Sequence, residues 1–151
     1  VFGAPGSPCE RLLAGVRGFA ERAWHSRQLA FALIAEPVEP EVDEQRLLFR
    51  EAYAQLFVRL LDEGRSQGQF QVDSLSLSAA CLVGAIAESL VGPLSPSARA
   101  ARESGEPGMD LATVSQGLSH FCLRAVGALL PLNIRSLENP PVENLPTEIA
   151  R

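Results

Sequence analysis

Apolar residues recur along this chain at three- and four-residue steps, the spacing that places them on one face of an α-helix. No segment shows the two-residue alternation of a half-buried strand. Five helices follow from the pattern. The first covers residues 7–23, with Leu12, Leu13, Val16, Phe19, Ala20, Ala23 and Trp24 at helical spacing and Arg11, Arg17, Glu21 and Arg22 on the other side. Ser7 is its N-cap, with Pro8 at the first helical position and Glu10 at the third. The second, residues 26–35, is short and nearly all apolar (LAFALIA), so it must be buried or lie over a partner. EPVEPEVD is a stiff, solvated connector. The third helix, residues 43–67, carries an apolar stripe of Leu48, Phe49, Ala52, Tyr53, Leu56, Phe57, Leu60 and Leu61, opposite Glu44, Arg50, Glu51, Gln55, Arg59 and Asp62. Asp43 can cap it, and Gly64 or Gly68 can stop it. The fourth, residues 75–91, starts after Asp73 or Ser74 and is apolar almost all round, with Glu88 its one charge. Pro93 and Pro96 end it, and SPSARAARESGEPG, residues 95–108, reads as a mobile loop. The fifth, residues 109–130, repeats Leu111, Val114, Leu118, Phe121, Cys122, Ala125, Val126 and Leu129 at helical steps until Pro131 closes it. The fold class is therefore all-α. Residues 1–131 form one domain, and the proline-rich, acidic residues 132–151 form an extended or disordered arm.

Composition narrows the function. The 151 residues are 46% hydrophobic and 21% charged, an ordinary globular balance for a single domain. The net charge is −5, and the 13 basic residues are all arginine and scattered, so the chain has no electrostatic footprint for nucleic acid. Cys9, Cys81 and Cys122 are odd in number and widely spaced, which argues against a disulfide framework and for packed, reduced thiols. No signal peptide is visible. No segment approaches the roughly 20 apolar residues of a membrane helix, and the fourth helix is too short and too polar at its ends to span a bilayer. A cytoplasmic location is the default. The chain opens VFGAPGSPCE without an initiator methionine, as a fragment or a chain without its head would.

Little of the chemistry-bearing vocabulary is present. There is no glycine-rich phosphate loop and no GxSxG nucleophile elbow. No catalytic residue, metal ligand or cofactor is assigned. His120 and Cys122 are two apart and do not face each other on a helix, and no further ligands cluster near them. His25 either suits the C-terminal dipole of the first helix or lines a pocket. Glu88 alone sits in an apolar setting. It could orient a ligand in a pocket, pair with an arginine, or lie at the helix rim. Phe49, Tyr53 and Phe57 share one stripe at i, i+4, i+8, and Phe19 and Phe31 join them from the first two helices. They are either ordinary core or the wall of an apolar cavity, with the Tyr53 hydroxyl and Glu88 as its few polar groups.

The segment AFALIAEPVEPEVDEQRLLFREAYAQLFVRLLDEGRSQGQFQVDSLSLSAACLVGAIAESLVGPL, residues 30–94, resembles the C-terminal regulatory domain of the tetracycline-repressor family of bacterial transcription regulators. The carriers are the AEPVEPE turn after a short helix, the long helix ending in GRSQGQFQVD, and the alanine-rich SAACLVGAI helix. The resemblance implies a homodimer built on a four-helix bundle, with the fourth and fifth helices contributing Val83, Ala87, Leu90, Leu118, Phe121, Cys122, Ala125 and Leu129. It also implies a cavity for a small apolar or amphipathic effector, lined by Phe19, Phe31, Phe49, Tyr53, Phe57 and Glu88. The family's DNA-binding head is a helix-turn-helix before the first helix, and no such stretch occurs here, so DNA would be reached only through a head outside this sequence. Two readings stay open: a regulatory domain whose head was removed or lost, or a headless, stand-alone binding module for a lipid-like molecule.

Overall fold

The computed structural model describes residues 5–128, and the regular elements among them are six α-helices: α1 (Pro8–His25), α2 (Arg27–Ile34), α3 (Pro40–Ser66), α4 (Leu75–Leu94), α5 (Pro96–Glu103) and α6 (Leu111–Ala125). Local chemistry accounts for most of the boundaries. Ser7 and Glu10 form a capping box at α1: the Ser7 Oγ accepts from the Glu10 N–H at 3.2 Å, and the Glu10 carboxylate accepts from the Ser7 N–H at 2.8 Å. Ser74 caps α4 by accepting from Leu77 N–H at 3.3 Å, and Asp110 caps α6 by accepting from Thr113 N–H at 2.7 Å. The long helix starts at Pro40 with Glu39 at the cap position, so Asp43 lies within its first turn and complements the dipole instead of capping it. It stops at Gly68, whose φ of +68° suits a residue without Cβ. Gly68 N–H then reaches Arg65 O at 3.0 Å, and Gln69 N–H reaches Gly64 O at 2.8 Å, the double bond of a Schellman ending.

Three expectations need correcting. Residues 95–108 are not simply a loop, because Ser95 and Pro96 start a helix there: the Ser95 Oγ accepts from Ala98 N–H at 3.2 Å. The helix α5 then packs back, with the Arg102 guanidinium donating to Pro93 O at 2.9 Å and lying 5.1 Å from the Trp24 ring. The last helix ends at Ala125 rather than running to residue 130. Gly127, at φ +58°, turns the chain where Gln71 comes so close that a Cβ at 127 would lie 2.9 Å from its Cβ, and Gln71 N–H bonds Val126 O at 2.8 Å. Finally, α4 extends to 20 residues with a mean hydropathy of 1.7, long and apolar enough by those measures alone to cross a membrane. Its Ala79, Leu82, Ile86, Leu90 and Leu94 are buried in the helical core, and its other residues are half-buried or exposed. The C-terminal arm assigned to residues 132–151 lies outside the described residues.

The core has two parts. The larger joins Leu12 and Val16 of α1, Phe57, Leu60 and Leu61 of α3, Ala79, Leu82 and Ile86 of α4, and Leu118, Cys122 and Leu123 of α6. The smaller joins Ala23 and Trp24 to Leu90, Leu94 and Val114, with Phe31 and Ile34 of α2 packed at its margin. Contact is most extensive between α3 and α4 and between α1 and α6. Two polar ties fix the first helix to its neighbours: Arg11 pairs with Glu63 of α3, and Cys9 N–H donates to the Gln69 side chain at 3.2 Å.

Candidate functional site

Where the two core clusters abut, four helices leave a cavity of about 370 Å³. Its floor includes Phe57 and Ile86, both 4% exposed. Gly15 of α1 contributes no side chain to the filling. Around the floor stand Phe19 from α1, Ile34 and Leu33 from α2, Phe49 and Tyr53 from α3, and Val83 and Ala87 from α4. The Phe19 and Tyr53 rings meet edge to face, with centroids 6.3 Å apart and planes at 86°. The cavity opens on the side of Phe49 and Tyr53, which are 66% and 43% exposed.

The polar part of the lining is Arg22, Arg46 and Arg50 together with the tyrosine. Arg46 has a structural duty. Its guanidinium donates to Glu36 O at 2.9 Å and to Ala32 O, tying the end of α2 to α3. Asp43 Oδ1 is 4.0 Å away. This tie matters because α2 has no buried residue and is held only by half-buried contacts.

Of the six residues assigned to a pocket, Phe19, Phe49, Tyr53 and Phe57 do line this cavity. Phe31 does not: it points to the other side of α2, against the smaller core cluster and a separate hollow lined also by Leu94, Pro96 and Arg99. Glu88 is on the exposed face of α4 and is not part of the lining. The rim alternative, left open by the sequence, is the position it takes. The stripe of α3 also divides. Only Phe57, Leu60, Leu61 and Gly64 of this helix are buried, while Leu48, Phe49 and Tyr53 are exposed.

The residues assigned to an interface divide similarly. Leu90, Leu118 and Cys122 are buried within the single chain, at 0%, 4% and 0% exposure, and have no surface left for a partner. Val83 and Ala87 turn toward the cavity. Phe121, 54% exposed, and Ala125 face outward, and Leu129 lies outside the described residues. Hydrophobic spacing could not separate these cases, because α4 and α6 are apolar on more than one face. Burial also pushes the Cys122 thiol up to about 12, so it stays protonated as a packed core group. His25 instead bonds locally, its Nδ1 lying 2.7 Å from Glu21 O. The residues that sequence reasoning missed as site residues are Gly15, Arg22, Leu33, Ile34, Arg46 and Ile86, with Arg50 assigned to the opposite face and Val83 and Ala87 to the dimer interface. Only the packing of α1, α2, α3 and α4 around one space brings them together.

The described residues form an all-α bundle with an open, mostly apolar cavity between its first four helices. Residues 5–90 match the family model described as the tetracyclin repressor-like, C-terminal domain, and the chain belongs to that family. No curated protein and no solved structure matches it significantly. Membership places the chain in transcription regulation, as the regulatory part of such a regulator.

Proposed function

We propose that this chain binds a small apolar or amphipathic effector in the cavity between α1, α2, α3 and α4, forms a homodimer, and passes the ligand signal to a DNA-reading head outside the sequence given. It acts in the cytoplasm by binding alone, without chemistry on the ligand. The cavity carries the reading: its volume falls in the ~300–1,000 Å³ range of small-molecule sites, and its apolar lining with few polar groups is what such sites need. The dimer surface is the outer face of α4 and α6. Leu77 at 65% and Phe121 at 54% are exposed there, and Gly84 and Gly117 leave open space where a Cβ would stand. Small residues beside exposed large ones suit close helix approach and an apolar interface.

The test is a thermal-shift screen of the whole chain against apolar and amphipathic compounds, because a ligand that binds only the folded state raises the melting temperature. Hits that disappear in Ala87→Phe, which fills the cavity, support the reading. A screen without hits, or hits indifferent to that substitution, would overturn it. Reading the coding DNA upstream of Val1 decides the remaining alternative. An in-frame helix-turn-helix makes the chain part of a ligand-responsive regulator, whereas a start codon at Val1 makes it a stand-alone binding module.

A further inference from the structure

The chain carries more acid than base, 18 against 13, yet three arginines and no aspartate or glutamate line the cavity. The charges are also segregated by depth. The floor at Phe57 and Ile86 is apolar and buried, while Arg22 and Arg50 are exposed at the mouth. Arg46 is occupied by carbonyl oxygens and has Asp43 nearby. The side chains of Arg22 and Arg50 make no ion pair or hydrogen bond with any other described residue. They come from different helices, α1 and α3, so their convergence is a property of the tertiary fold and not of one helical face. Two guanidinium groups above an apolar floor complement a ligand with an anionic head and an apolar body, because arginine pairs with carboxylate, sulfonate or phosphate oxygens through parallel N–H bonds.

We propose that the effector is an anionic amphiphile, its aromatic or aliphatic body against Phe19, Tyr53, Phe57 and Ile86 and its anionic head between Arg22 and Arg50. This rests on the cavity reading above and adds the sign of the ligand's charge.

The whole chain is titrated with two fluorescent probes, anilinonaphthalene sulfonate and phenylnaphthylamine, the same ring system without the sulfonate. The sulfonate is expected to bind about tenfold more tightly or better, corresponding to one strong charge-assisted contact, and this preference is expected to shrink as salt is raised. The Arg22→Ala/Arg50→Ala variant abolishes the preference, so that the sulfonate binds no more tightly than the neutral probe. The Arg22→Lys/Arg50→Lys variant keeps most of it. Both positions are exposed, so circular dichroism of the variants should match the parent. Equal affinity for the two probes, or an alanine variant that retains the preference, would overturn the anionic assignment and leave the cavity reading standing. If neither probe binds saturably, the cavity reading falls and this inference falls with it.

Discussion

Gly64 shows how much a single residue can settle. It sits inside α3, where a glycine ordinarily weakens a helix relative to alanine. Here the Phe70 ring lies over it, and a Cβ at 64 would come within 2.1 Å of that ring. Gly64→Ala is therefore expected to destabilise the domain by about 1–3 kcal/mol in urea unfolding, despite its better helix propensity. In a Phe70→Ala background the same substitution should become neutral or stabilising, and an unchanged penalty would show that the ring is not the cause. Three carboxylates act at the same scale. Hydrogen bonds from Ser7 hold Glu10 below the usual carboxylate range, the Arg11 contact does so for Glu63, and the Thr113 N–H does so for Asp110. A carboxyl whose folded pKa is depressed adds stability that is present above its unfolded pKa and lost as pH falls through the folded value. The melting temperature is therefore expected to fall on acidification below the ordinary carboxylate range. Asp110→Asn, which keeps a capping oxygen without a titrating group, should flatten part of that decline, and an identical pH profile would exclude the cap as a contributor.

The informative element is α2. Its sequence is almost entirely apolar, which points to burial, but none of its residues is buried: Leu29 and Leu33 are 62% and 54% exposed. What holds it is the edge of the smaller core cluster and the Arg46 guanidinium on its terminal carbonyls. Arg46→Ala should speed amide hydrogen exchange across residues 27–36 while α1 and α6 remain protected, since locally held segments open below the global stability. Arg46→Lys should rescue poorly, because an ammonium cannot span two carbonyls as a planar guanidinium does. Uniform exchange throughout the molecule would mean that the tie is dispensable. The short helix α5 shows the complementary failure. Its Ser95-Pro96 start repeats the Ser7-Pro8 signature that marks α1, so it was legible in the sequence. The polar, glycine-punctuated run around it hid the signal, and the helix earns its place by packing Arg102 on Trp24, a long-range contact.

At the scale of the whole molecule, the outward face of α4 and α6 predicts assembly. Phe121→Arg is expected to convert a dimer to a monomer by light scattering, since an unpaired charge in a buried interface is strongly unfavourable. An unchanged dimer mass would move the interface elsewhere. Val83→Arg is expected to act differently, impairing ligand binding while leaving the mass unchanged, because Val83 lines the cavity. Tyr53→Ala should weaken ligand binding with little effect on assembly. Equal loss of both would mark Tyr53 as a core residue only.

By itself, the sequence determined the class of fold, most of the helix starts and the family. Those depend on hydrophobic period, capping residues and positive-φ glycines, all of which act within a few residues. It also picked out four of the cavity's lining residues, Phe49, Tyr53 and Phe57 from one stripe of α3 and Phe19 from α1. The tertiary structure decided which face each apolar helix buries. Leu90, Leu118 and Cys122 went inward, Glu88 stayed at the surface, and Phe31 turned away from the cavity. It alone brought Arg22 and Arg50 to one mouth, because their meeting depends on how α1 and α3 cross and not on the composition of either helix.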